Sequence, residues 1–206
     1  MSDSHTLNSA SAHLRGLLFV LVGPSGVGKN AIIERVLSQL PSLRRLPTYT
    51  TRPKRPNEEE GRDHFFVTPE RFQAMVTEGA FIEHQEVHSG KFYGTPYREL
   101  HDGLRQGAHL IADIDIRGTT AIRAIFPDNL ISIFVLPPSR DALRERIMQR
   151  GNIDAADLED RLKRADEELQ RAAECHYRVV NDQLETCVAE VVNIITAEIA
   201  ARAPAK

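Results

Sequence analysis

"GLLFVLVGPSGVGKN", Gly16 to Asn30, is the stretch whose reading decides the fold. Its first half is a continuous apolar run. A strand with no polar interruption is buried on both faces, as the strands of parallel sheets are. Its second half, Gly23-Pro24-Ser25-Gly26-Val27-Gly28-Lys29, follows the spacing G-x-x-x-x-G-K. Glycines let the backbone curl until successive N–H groups converge on phosphate oxygens. The helix that follows adds the positive end of its dipole, and Lys29 brings a mobile charge to the β and γ phosphates. That helix is visible in the pattern, because Ile32, Ile33, Val36 and Leu40 share one side of residues 29–40. Strand, loop and helix in this order predict a nucleotide phosphate site at Gly23–Asn30. The loop departs from the usual pattern only in its last letter, where a Ser or Thr hydroxyl normally meets magnesium. Asn30 offers a carbonyl oxygen there, a hard ligand of the kind magnesium accepts, directly or through water.

Further apolar runs lie at 109–115 (HLIADID), 129–138 (NLISIFVLPP) and 177–182 (YRVVND). Helical patterns separate them at 117–125, 139–149, 156–173 and 183–201. Strands alternating with helices imply an α/β fold with a parallel sheet flanked by helices. Residues 48–97 break this rhythm with short β-like pieces, Phe65–Val67 and Phe81–Glu83, among polar residues. They read as an insertion over the carboxyl edge of the sheet, where ligands of open α/β sheets bind. The expected organisation is a polar tail (1–15), a core (16–47 and 98–201), the insertion (48–97) and a short C-terminal tail (202–206).

The bulk properties narrow the function classes. The 206 residues are 41% hydrophobic and 27% charged, ordinary for one globular domain. A formal net charge of -3 gives no basic field for nucleic acid or an anionic membrane. No apolar run approaches the roughly 20 residues that span a bilayer, and the run before the loop is too short for a secretion signal. Cys175 and Cys187 make no disulfide framework. A reducing, cytoplasmic setting is expected. No Ser/His/Asp or Cys/His nucleophile set stands out, and the histidines lack metal-ligand spacing.

Six segments then fall in one order: GPSGVGK, TTRPKRPNEEEGRDHFFV, GAFIEHQEVHSGKFYGTP, ADIDIRG, FVLPPS and VVND. In these, over about residues 17–200, the chain resembles guanylate kinases. The resemblance implies a P-loop NTPase-type core around a parallel sheet, a mixed α/β GMP-binding insertion and a helical lid at about 144–165. It implies transfer of the ATP γ-phosphoryl group to GMP or dGMP with Mg2+. ATP and GMP are then the partners, with no nucleic acid and no membrane. Monomer and homodimer both stay open.

Carried over position by position, the resemblance assigns the site. ATP lies along Gly23–Asn30, with Asn181 near the adenine. Arg52, Arg55 and Tyr93 hold the GMP phosphate, and guanidinium forks suit phosphate oxygens. Glu83 reads guanine, whose N1–H and exocyclic amine are adjacent donors that one carboxylate accepts together. Adenine lacks the N1–H, and sites built on such hydrogen bonds discriminate strongly. Thr48, Thr95 and Asp115 match further contacts to the base. Asp113, with Asn30, matches the magnesium position, although acids at 113 and 115 also suit helix capping. Arg146, Arg150 and Arg161 match lid arginines that stabilise the migrating phosphoryl group. With Lys29, Arg52 and Asp113 they form the expected catalytic set. No strong general base is required, because the acceptor phosphate is already a nucleophile and catalysis is positioning plus electrostatics.

His64 departs from the family, which usually has tyrosine there. A histidine that titrates near neutrality predicts weaker or pH-dependent GMP binding. Two other readings share parts of the pattern. A kinase for a phosphorylated sugar such as ribose 1,5-bisphosphate keeps the loop and fold. A non-catalytic guanylate-kinase-like binding module keeps only the fold.

Overall fold

All five side chains of strand β1 (Leu18–Val22) are buried, and successive ones point to opposite faces of a sheet. A computed structural model describes residues 14–86, 90–149 and 154–202 of the chain. In it β1 is the centre of a five-stranded sheet with β2 (Leu43–Arg45), β7 (His109–Asp113), β8 (Leu130–Leu136) and β9 (Tyr177–Val180). The order is β2-β7-β1-β8-β9, and every pairing is parallel. Sheets of this kind need cover on both faces. On one face Phe19 and Leu21 pack with Ile32, Ile33 and Val36 of α1 (Lys29–Gln39) and Val188, Val191 and Ile195 of α7 (Leu184–Arg202). On the other, Leu18, Val20 and Val22 pack with Leu100 and Leu104 of α3 (Tyr97–Arg105) and Ile122 of α4 (Ile116–Ile125). Helices α5 (Arg140–Met148) and α6 (Ala155–Gln170) pack against each other at the carboxyl end of the sheet.

Between β2 and α3 the chain builds a second, four-stranded sheet in the order β4-β3-β6-β5. Its strands are β3 (Thr48–Thr50), β4 (His64–Phe66), β5 (Phe81–Glu86) and β6 (Phe92–Pro96). β3 pairs parallel with β4, and the other two pairings are antiparallel. Its helix α2 (Pro69–Thr77) starts where the Thr68 side chain caps the Arg71 N–H and Pro69 occupies the first turn. Phe72 of α2 stacks on Phe81 of β5 at 4.7 Å. Hydrophobic periodicity locates β1, β7, β8 and β9 within a residue or two. It does not announce β2, α2 or α3. β2 is three residues long, and α2 and α3 each bury just two apolar residues. Among the described residues no helix is long and apolar enough to cross a membrane.

Candidate active site

The phosphate loop leaves the sheet at the end of β1 and enters α1 at Lys29. Two of its glycines are required by space. Gly23 has φ 136°, and a Cβ there would lie 2.5 Å from the Val135 carbonyl oxygen. Gly28 has φ 104°, and its Cβ would lie 2.5 Å from Asn181 Nδ2. That amide donates to the Val27 carbonyl at 2.8 Å, so Asn181 braces the loop from behind. Lys29 Nζ donates to the carbonyl of Gly23 and, at 3.3 Å, to that of Pro24. Parallel pairing sets Asp113 beside Leu21, and its carboxylate lies 3.5 Å from Lys29 Nζ.

A continuous cleft runs from this loop to the second sheet. It is lined by Gly23–Gly26, Gly28–Asn30, Asp113 and Asp115 on one side and by Arg52, Arg55, His64, Glu83, Tyr93 and Thr95 on the other. Thr48 and Arg161 also border it. Gly23 and Arg161, 138 positions apart in the chain, thus converge on one cavity.

On the far side, Arg52 is nearly buried and forms a two-pronged pair with Glu58, whose Oε2 lies 2.6 Å from Nη1. Its Nη1 also donates to the Pro53 carbonyl, and its Nε donates to Tyr93 Oη at 3.0 Å. Tyr93 therefore accepts from Arg52 and keeps its own O–H free to donate. The Arg52 guanidinium holds the Glu58 carboxyl down at about 2, against the desolvation that opposes it. Arg55 is more open to solvent, with its side chain 58% exposed and Nη1 3.9 Å from Glu58 Oε1.

Glu83 stands on β5, where Thr95 donates its hydroxyl to Oε1 at 2.6 Å. Burial, with Asp115 nearby, lifts the Glu83 carboxyl to about 7. Its place depends on Gly118, where a Cβ would sit 2.8 Å from Glu83 Cδ. Asp115 caps α4 through the Gly118 N–H at 2.8 Å and still borders the cleft, so capping and lining coexist.

His64 requires a correction. It is 8% exposed, and Thr48 Oγ1 lies 2.8 Å from Nδ1. Burial, reinforced by Arg52, pushes the imidazole down to about 4. It is neutral across the neutral range, so His64 gives no pH dependence there. In the cleft, burial instead carries the Glu83 carboxyl toward neutrality.

The structure separates three residues from the cleft wall. Arg146 donates to the backbone carbonyl of Asn181 at 2.9 Å, Asn181 holds the loop, and Val27 is fully buried beneath it. Arg161 lines the cleft while paired with Asp157 at 2.9 Å. Arg150 lies outside the described residues. Residue patterns alone missed Gly118, Glu58 and Arg45. Each acts on a neighbour; Gly118 and Glu58 lie inside matched segments without an assigned role, and Arg45 lies outside them.

Among the described residues no group of three or more His, Cys, Asp or Glu stands arranged for a metal ion. Magnesium with a nucleotide uses one or two carboxylates, substrate phosphates and water. Asp113, partly exposed beside Lys29 in the cleft, fits that donor set. The Asn30 carbonyl oxygen instead accepts from Arg45 Nη2 at 3.0 Å.

The family model described as guanylate kinase matches residues 15–198. A guanylate kinase of Coxiella burnetii is 42% identical over 181 residues, covering 88% of this chain and 87% of the relative. One from Thermotoga maritima is 42% identical over 185 residues, covering 90% and 88%. The crystal structure of guanylate kinase from Anaplasma phagocytophilum superposes with a TM-score of 0.72 at 32% identity, covering 90% of this chain and 87% of that one.

Proposed function

The chain belongs to the guanylate kinase family, and from that premise we propose that it transfers the γ-phosphoryl group of ATP to GMP or dGMP, giving ADP and GDP or dGDP. One observation carries the reading to particular residues. A single cleft joins the Gly23–Asn30 loop to a wall that bears both Arg52 and Glu83.

The Gly23–Asn30 loop receives the ATP phosphates on its backbone N–H groups, with the α1 dipole behind them. Lys29 leaves the loop carbonyls to follow the β and γ oxygens. Asp113 would hold magnesium through water, and the ion would supply positive charge to offset that of the nucleotide phosphates. Arg52, held flat by Glu58, offers its remaining Nη2 proton to the acceptor phosphate, beside the Tyr93 hydroxyl and Arg55. Glu83, ionised, accepts guanine N1–H and N2–H, and its competing proton is displaced on binding. Arg161 neutralises charge on the moving phosphoryl group, and closure of α5 and α6 excludes water. Loop-to-cleft geometry supports in-line transfer without a general base.

A coupled ADP-release assay with GMP, AMP, UMP and ribose 1,5-bisphosphate tests this. Turnover with GMP and little with the others is expected. Turnover with the sugar bisphosphate and none with GMP overturns the acceptor. A folded protein with no transfer to any of them overturns catalysis.

A further inference from the structure

Strand β2 ends on Arg45, and the chain crosses to the second sheet through just Leu46 and Pro47. The Arg45 guanidinium bridges the same gap through space. Its Nη2 donates to Asn30 Oδ1 at 3.0 Å, and its Nη1 pairs with Asp63 Oδ1 at 2.9 Å. The bridge is buried: the Arg45 side chain is 7% exposed and that of Asp63 5%. Asp63 is fixed in turn, because its Oδ2 accepts the Glu59 N–H at 2.9 Å and Arg62 Nη2 at 2.8 Å.

The two ends of the bridge are the two halves of the site. Asn30 follows Lys29 in the first turn of α1. Asp63 precedes His64, the first residue of β4, and Glu59 follows Glu58, which holds Arg52. One planar cation therefore links the phosphate-loop helix to the segment that orients the acceptor-side arginine.

A buried ion pair is a poor source of stability, because desolvation offsets its attraction; fixing a register is its better-attested use. A guanidinium suits that task, since its donors stand in a rigid fork. The arrangement also accounts for the unusual last letter of the loop. A Ser or Thr hydroxyl sits directly on Cβ, whereas the Asn carbonyl reaches one atom further and meets Arg45.

We propose that Arg45 is a positioning residue for phosphoryl transfer, fixing the span between the phosphate loop and the acceptor wall, and that Asn30 is its anchor on the loop side. This rests on the reading of the cleft as an ATP–GMP kinase site. Transfer needs both phosphates in line, and a misplacement of about 1 Å costs on the order of 10²-fold.

The test is a double-variant cycle with two readouts, kcat and the GMP dissociation constant measured by calorimetry without ATP. Arg45→Met is expected to lower kcat about 10- to 100-fold while GMP affinity changes less than about threefold, since Glu83 and Arg52 remain. Asn30→Ala lowers kcat as well, and the combined variant is no slower than the slower single one, because both break one bridge. Arg45→Lys recovers part of the loss, as one ammonium cannot serve both ends fully. Independent, additive losses overturn the proposal. So does native kcat in Arg45→Met, or GMP affinity that falls as far as kcat. If Arg45→Met does not fold, Arg45→Gln with Asp63→Asn removes both charges together, and native kcat in that protein overturns the proposal. An unaltered chain that transfers nothing to GMP overturns the kinase reading and the positioning role with it. Transfer with an additive cycle overturns the positioning role alone.

Discussion

Thr95 donates its hydroxyl proton to Glu83 across 2.6 Å, and this bond holds one carboxylate oxygen in the cleft while burial lifts the group to about 7. The bond favours the ionised form and the surroundings oppose it, so the acid is poised near neutrality.

GMP binding is therefore expected to weaken on acidification. The ionised carboxylate accepts the two guanine donors, and a proton competes for it. Below about pH 7 the KM for GMP should rise, approaching about tenfold per pH unit. Steady-state kinetics between about pH 5.5 and 8 measure this. Glu83→Gln should flatten the profile at a higher KM. His64→Tyr should leave its shape unchanged, because His64 is held neutral throughout that range. A profile that is flat in the unaltered protein refutes the assignment.

Gly118→Ala should act on the same carboxylate from outside the cleft. The new methyl carbon would lie 2.8 Å from Glu83 Cδ and 2.7 Å from Ile114 Cγ2. Glu83 must move, so the KM for GMP is expected to rise about 10-fold or more, while the KM for ATP stays within about twofold. Equal changes for both nucleotides would show that the helix, and not Glu83, has been disturbed.

Lys29→Ala should lower kcat by about 10²- to 10³-fold, the loss typical of a removed charge-stabilising donor. Circular dichroism and the melting temperature should stay close to native, since among the described residues Lys29 bonds to loop carbonyls and pairs with Asp113. Near-native turnover refutes the loop's part in transfer.

Glu58 should contribute acid-sensitive stability. Its folded-state pKa of about 2 lies below the ordinary 4.5. The contribution is complete above about 4.5 and is lost as pH falls toward 2. Glu58→Ala should destabilise the protein by about 3–5 kcal/mol, because it leaves the buried Arg52 unpaired. Urea midpoints of both proteins at several pH values check this. Their difference should shrink steadily as the pH drops from about 5 to 3.

The parts legible in the sequence are those whose signal is local. β1 is readable because a strand buried on both faces carries no polar letter, and the phosphate loop because its glycines and lysine are adjacent. Asp113 was legible because it ends an apolar run that also had to be a strand. The Arg45–Asp63 bridge was not legible, since a charged residue on a short edge strand looks solvated until the second sheet covers it. Gly118 was silent for a different reason. It sits inside an ordinary amphipathic helix, and only the approach of Ile114 and of Glu83 on β5 makes the missing side chain matter. His64 was read as a titrating group from its identity, but its burial within the folded second sheet decides its charge, and burial is a tertiary property.

The brace of Asn181 on Val27 has a consequence for the order of events during synthesis. The loop lies at Gly23–Asn30, near the start of the 206-residue chain, yet the amide that holds Val27 comes 154 residues later, after the last strand. A nascent chain can gather β1, β2 and β7 well before Asn181 leaves the ribosome. Such a partial chain has the glycines and the lysine, and still lacks the strut that shapes them. Nucleotide affinity should thus emerge late and abruptly, when the outermost strand docks, so that ligand capture marks the completion of folding.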